Sequence, residues 1–233
     1  MNRVPRAIHA AGRRVRRWLR NVPFVQYARH RLFPGSRNYW EQRYRRGGLS
    51  GSGSYGRLAR FKAEFLNEFV AEQSIRSVCE LGCGDGNQLS LAAYPSYVGY
   101  DVSPTAVRMC EERFRDDRTK RFVVHDATKD PLPTERADLA LSLDVIYHLV
   151  EDAVFDAYMC HLFGVAERYV IVYSSNEDRP AASPHVRHRR FTDWVESHAP
   201  DWTLSAHVPN RFPTSLQDGK ETSHADFYVF ARS

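Results

Sequence analysis

The densest run of residues able to do chemistry is Val78-Cys79-Glu80-Leu81-Gly82-Cys83-Gly84-Asp85-Gly86. A short apolar run enters three alternating glycines, which permit a tight turn and close approach of a ligand to the backbone. Glu80 precedes the glycines, Asp101 ends the next apolar run, and Asp126-Ala127 follows the third. A carboxylate at the tip of a second strand can accept hydrogen bonds from two ribose hydroxyls. One after the third strand can accept from an adenine amine. Ligands of open α/β sheets sit beyond the carboxyl ends of the strands, where all these residues fall, so together they describe an adenosine-type pocket. A Gly-x-Gly-x-Gly turn alone also suits an ordinary strand-to-helix connection. A dinucleotide oxidoreductase is the structural competitor, but it more often carries Gly-x-Gly-x-x-Gly, whereas residue 87 is Asn here.

Two further groups stand out. Asp144-Val145-Ile146-Tyr147-His148-Leu149 follows the fourth apolar run. Histidine exchanges a proton near neutral pH, so His148, with Tyr147 beside it, is a candidate catalytic residue. The competing reading is a histidine that packs over a ligand and bonds a backbone group. The other group is His185-Val186-Arg187-His188-Arg189-Arg190, in a long connection after Pro180 and Pro184. Arginine forks match carboxylates and phosphates, which makes His185, Arg187, His188 and Arg189 candidates for binding an acceptor. A solvated basic loop is the alternative.

The elements that must hold these residues alternate from residue 76 onward. Apolar runs at 77–81, 97–101, 121–125, 137–143 and 169–173 read as strands, with helical segments near 87–93, 104–115 and 151–163. The late runs 202–208 and 227–231 are antiparallel candidates closing the sheet, after a helix at 191–199. The expected fold is α/β: a Rossmann-like, seven-stranded, mostly parallel sheet with one antiparallel strand, helices on both faces and an N-terminal helical extension. Before it lie a short helical stretch at 39–44, a Gly/Ser-rich loop from Gly47 to Gly56, and an amphipathic helix from about Arg57 to Val70.

The net charge of +5 conceals a division. Residues 1–46 hold 13 Arg, no Lys and one acid, Glu41, a net +12, while the remaining 187 residues carry a net −7. Between Pro5 and Pro23 the apolar residues Ile8, Ala11, Val15, Trp18, Leu19 and Val22 share one helical face, and Arg13, Arg16, Arg17 and Arg20 project from the other. Such an arm can lie on an anionic membrane, meet a partner protein, follow nucleic-acid phosphates or pack on its own chain. Expected boundaries are 1–35 for the basic arm, 36–75 for a helical cap and 76–233 for the ligand-binding domain. No run approaches the ~18 apolar residues of a membrane span, and no secretory signal is evident. The four cysteines, at 79, 83, 110 and 160, fit neither a disulfide framework nor a metal site, which suits a reducing cytoplasm.

Taken in order, CELGCGDGNQ, VGYDVSP, VHDAT and LALSLDVIYHLVED resemble the motifs of class I S-adenosylmethionine-dependent methyltransferases, over residues 76–175. The resemblance implies that Glu80, Gly82 and Gly84 hold the methionine end of the cofactor S-adenosyl-L-methionine, with Cys83 in the same turn among the cofactor-binding residues. It implies that Asp101 binds the ribose, Val102 flanks the adenine, Asp126 and Ala127 read its edge, and Leu143 and Asp144 line the methionine side. Methyl transfer then requires in-line alignment of a nucleophile, and an alcohol acceptor benefits from a base such as His148. The chain as a whole is similar to bacterial methyltransferase-domain proteins, some of which accompany sugar or surface-glycan synthesis. That implies a small-molecule or glycan acceptor methylated at oxygen, while the charge and amphipathic pattern of residues 1–22 points separately to peripheral membrane contact at the inner face of the membrane or to a partner protein. The alternatives are an RNA methyltransferase using the Arg-rich arm, disfavoured by the acidic body, and a cofactor-binding accessory subunit without turnover.

Overall fold

The computed structural model describes residues 32–181, 183–216 and 219–233, so the expected helix between Pro5 and Pro23 lies outside the described residues. The apolar runs pair into one seven-stranded sheet of β1 (Val78–Leu81), β2 (Tyr97–Asp101), β3 (Lys120–Val124), β4 (Ala137–Leu143), β5 (Ala166–Ser174), β6 (Trp202–Val208) and β7 (Asp226–Arg232). Their spatial order is β3-β2-β1-β4-β5-β7-β6. The first five run parallel, and β7 runs against both its neighbours. Only one of the two late runs is therefore reversed: β6 pairs antiparallel with β7 and so returns to the common direction. β1, β2 and β4 are buried at every position, which is why they read as continuous apolar runs rather than alternating ones.

Alternate residues feed two cores. On one face Leu81, Tyr100, Ala140 and Val172 pack against Phe155, Met159 and Leu162 of α4 (Asp152–Gly164) and Phe191 of α5 (Phe191–His198). On the other, Val78, Tyr97, Leu139 and Ile171 meet Phe61, Leu66 and Val70 of α2 (Gly56–Glu72) and Val107 of α3 (Pro104–Arg113). α3 begins where Ser103 accepts a hydrogen bond from the Ala106 N–H and Pro104 takes the first helical position. The helix expected near 87–93 is only a single 3-10 turn, Leu89–Leu91. Asn67 of α2 donates to the Leu91 carbonyl and accepts from the Ala93 N–H, replacing bonds a longer helix would make with itself.

α1 (Ser36–Arg45) and the loop after it form a roof over the carboxyl end of the sheet. Ser36 donates to Glu151 through both its N–H and hydroxyl, at 2.9 and 2.6 Å. Glu41 accepts from the Ser103 hydroxyl at 2.6 Å and the Thr105 hydroxyl at 2.9 Å. Asp85, in the Gly-rich turn, accepts from the Ser50 N–H at 2.7 Å and the Tyr55 hydroxyl at 2.8 Å. None of the described helices is long and apolar enough to cross a membrane.

Candidate functional site

Beneath that roof lies a cavity of about 470 Å³ at the carboxyl ends of the strands. Its wall brings together Glu80, Gly82, Cys83, Gly84, Asp101, Val102, Asp126, Ala127, Leu143, Asp144, Tyr147 and His148. Residues not singled out in the sequence also line it, among them Trp40, the loop Ser50–Ser54, Val186 and His224. A tryptophan and a serine-glycine loop carry no local mark of a pocket; their role depends on where α1 docks.

The floor is the Gly-rich turn. Gly82 and Gly84 hold φ of 84° and 60°, left-handed values that favour glycine. A Cβ on Gly84 would stand 2.4 Å from the Ser50 hydroxyl, so only glycine lets the roof loop approach this closely. The Gly84 N–H donates to Asp101 Oδ2 at 2.9 Å, and the Ser103 N–H to Oδ1 at 2.9 Å. These bonds fix the carboxylate at the tip of β2. Burial pushes its pKa up to about 6, although the Ser103 and Gly84 bonds pull the other way. Glu80, one strand over, accepts from the Tyr97 hydroxyl at 2.7 Å, and burial raises it to about 7. The Tyr158 hydroxyl lies 2.7 Å from both the Leu81 carbonyl and the Ser142 hydroxyl, pinning the tips of β1 and β4 from below.

At one end, Asp126 accepts from the Thr128 N–H and hydroxyl at 3.1 and 2.6 Å and faces Arg37 and Lys129. At the other end, the chain turns sharply at Asp144, whose φ of 61° is uncommon for a residue other than glycine. Lys62 donates to Asp144 Oδ2 at 2.5 Å and the Tyr147 hydroxyl to Oδ1 at 2.8 Å, over-determining that conformation. His148 follows, its Nδ1 2.8 Å from the His185 carbonyl. A carbonyl only accepts, so Nδ1 carries the hydrogen and the lone pair of neutral His148 resides on Nε2. Burial pushes this histidine down to about 4, so it is neutral at physiological pH. Trp40 packs edge-on against its ring at 4.9 Å, and His185 stacks on it at 5.5 Å.

His185, Arg187, His188 and Arg189 are not among the cavity-lining residues, although Val186 is. Arg189 donates to the carbonyls of Leu149 at 2.6 Å and Val150 at 2.9 Å, and Arg187 to Val150 at 3.0 Å. Both also pair with Asp152. These guanidiniums are therefore spent on the turn that carries His148. The ring of His185 stacks on Tyr39 at 4.4 Å, and His188 bonds the Ser175 hydroxyl at 2.7 Å behind the site. The segment braces the site from behind, because carbonyls 149 and 150 offer it nearer partners than the cavity does. Among the described residues, no group of three or more His, Cys, Asp or Glu is placed to hold a metal ion.

Residues 79–163 match the family described as a methyltransferase domain. A tRNA (carboxymethyluridine(34)-5-O)-methyltransferase of Arabidopsis thaliana is 31% identical over 72 residues, 31% of this chain but only 17% of that protein's length. Among solved structures, the N-methyltransferase NodS of Bradyrhizobium japonicum, in complex with S-adenosyl-L-homocysteine, superposes with a TM-score of 0.63 at 13% identity, over 85% of this chain and 98% of that one. Magnesium protoporphyrin IX methyltransferase of Synechocystis superposes with a TM-score of 0.61 at 17% identity, over 84% and 97%. At such identities the superpositions speak for the fold, and the sequence match speaks for the segment that builds the pocket. Residues 79–163 thus match the methyltransferase-domain family, and the chain shares the fold of these solved methyltransferases.

Proposed function

We propose that the chain is an S-adenosylmethionine-dependent methyltransferase acting on a small-molecule acceptor, or the end of a glycan, presented beside Tyr147 and His148. The observation that carries this reading is one continuous cavity. It runs from a carboxylate at the tip of β2, past a glycine turn, to a neutral histidine whose Nε2 keeps its lone pair. A cavity of about 470 Å³ suits a nucleoside-sized ligand with little room beside it, so only a small acceptor or the tip of a larger one fits.

The residues present fit the cofactor. Asp101 offers carboxylate oxygens for ribose hydroxyls, Val102 an apolar flank for adenine, and the turn at Gly82–Gly84 a close backbone approach. When bound, S-adenosylmethionine supplies a methyl group on a positively charged sulfur, already activated for transfer. The roof residues Trp40 and Ser50–Ser54 exclude water from the reacting end. His148 Nε2 accepts a hydrogen bond from the acceptor's O–H and so orients its oxygen; with a pKa of about 4 it takes the proton only as the new bond forms. Tyr147, its hydroxyl hydrogen given to Asp144, keeps oxygen lone pairs available to the same acceptor.

Isothermal calorimetry with S-adenosyl-L-homocysteine, followed by a methyl-transfer screen over phenols, sugars, nucleotide sugars and transfer RNA, tests the proposal. Micromolar product binding with turnover on a small hydroxylated acceptor is the expected result. Turnover on RNA alone, with a steep salt dependence, instead favours the second reading, which rests on the 72-residue similarity to a tRNA methyltransferase and on the +12 arm. Binding without turnover on any acceptor favours an accessory subunit.

A further inference from the structure

One cation in the molecule is out of place for its type. Lys62, in the middle of α2, is fully buried, and lysine is almost never sealed from water without a partner. Its ammonium sits 5.2 Å from the centre of the Tyr173 ring and 2.5 Å from Asp144 Oδ2. Asp144 in turn lines the cavity, where the roof loop passes so close that a Cβ on Gly53 would lie 2.5 Å from the same oxygen. The other wall carboxylates are held differently: Glu80 by the Tyr97 hydroxyl, Asp85 and Asp101 by N–H and O–H donors, Asp126 by Thr128 and by cations at the exposed rim. Among the described residues, Asp144 is the wall carboxylate hydrogen-bonded to a cation shut off from solvent, and Glu80 feels the same ammonium at longer range.

We propose that Lys62 is a positioning residue that fixes the charge of the reacting end: by neutralising Asp144 it limits how strongly the pocket prefers the cationic methyl donor over its neutral product. This rests on the reading of the cavity as an S-adenosylmethionine site. Donor and product differ by one methyl group and one positive charge, so every contact they share cancels in the ratio of their affinities. The intact Lys62–Asp144 pair adds no net charge of its own to the wall. A lone Asp144 carboxylate would hold the sulfonium more tightly than the transition state, in which that positive charge is being lost, and so would slow transfer. Lys62 removes that brake without touching the ligand.

The test is calorimetric titration of S-adenosylmethionine and S-adenosylhomocysteine into the full chain at pH 8, for the wild type, Lys62→Met, Asp144→Asn and the double variant. Lys62→Met should shift the affinity ratio toward the donor, and Asp144→Asn toward the product, each by on the order of fivefold or more. The double variant should return near the wild-type ratio. A purely structural role for the pair predicts instead that both ligands weaken together and the ratio stays fixed. Should Lys62→Met not fold, Asp144→Asn and Lys62→Gln carry the same opposed signs. Unchanged ratios, or shifts of the same sign in both single variants, overturn the inference. Failure of the wild-type chain to bind either ligand overturns the reading of the pocket instead.

Discussion

Replacing Asp101 with Asn separates two consequences of one buried carboxylate. The group is 7% exposed and its folded pKa is raised to about 6 from an ordinary 3.8. The folded chain therefore holds that proton more tightly than the unfolded chain does. Ionisation costs stability: the cost is absent below about pH 4, grows as pH rises toward 6, and is fully present above it. At about 1.4 kcal/mol per pH unit it reaches about 3 kcal/mol. Asn cannot ionise, and its loss of one backbone N–H acceptor does not vary with pH. Between pH 4 and pH 8 the wild type should therefore lose up to about 3 kcal/mol relative to the variant, as measured by paired urea titrations at pH 4.5, 6 and 8. At the same time the variant should bind S-adenosylhomocysteine roughly ten- to a hundredfold more weakly, because a charge-assisted pair of bonds contributes about 1.5–3 kcal/mol. Stability curves that run parallel with pH refute the buried-charge reasoning. Unaltered affinity refutes the placing of the ribose.

Other outcomes are as readily measured. His148→Ala should lower kcat for a hydroxyl acceptor by roughly 10²–10⁴-fold while calorimetry shows S-adenosylhomocysteine affinity within about twofold of wild type. Arg189→Ala frees the carbonyls of Leu149 and Val150 and should lower the thermal midpoint by several degrees, read by scanning calorimetry, with product affinity retained. Removing residues 1–31 should leave product affinity intact and reduce co-sedimentation with anionic vesicles, since each interfacial Arg contributes about 1 kcal/mol. Full-length chain that ignores such vesicles at low salt refutes the membrane role of the arm.

What the sequence disclosed follows from how local each interaction is. The β1 and β2 runs, the glycines at 82, 84 and 86, and Asp101 are visible because their roles are set by residues within a few positions and by a fixed strand-to-turn geometry. Lys62 is not visible: in an amphipathic helix a lysine reads as solvent-facing, and its burial depends on Asp144, 82 positions away. Arg187 and Arg189 look like open forks for the same reason, since the carbonyls they serve lie nearly 40 residues earlier in the chain. The segment near 87–93 has helical composition, yet Asn67 from α2 supplies partners that make a single turn sufficient. The pocket's floor is thus written locally, and its roof and rear wall are written in long-range pairings.

The fastenings of α1 and its loop have a bearing on ionic strength. Glu151, Glu41 and Asp85 each hold the roof through hydroxyl and backbone N–H donors rather than through opposite charges. Dissolved ions weaken attraction between exposed charges over about 10 Å at 0.1 M, but they barely touch a short bond between a carboxylate and a neutral donor. Of the contacts α1 makes with the sheet end, the half-exposed pair Arg37–Asp126 is the one that salt loosens. Raising the salt therefore screens the charges of the arginine-rich arm while the chamber stays roofed, so binding that depends on the arm and binding beneath α1 can be measured apart in one intact chain.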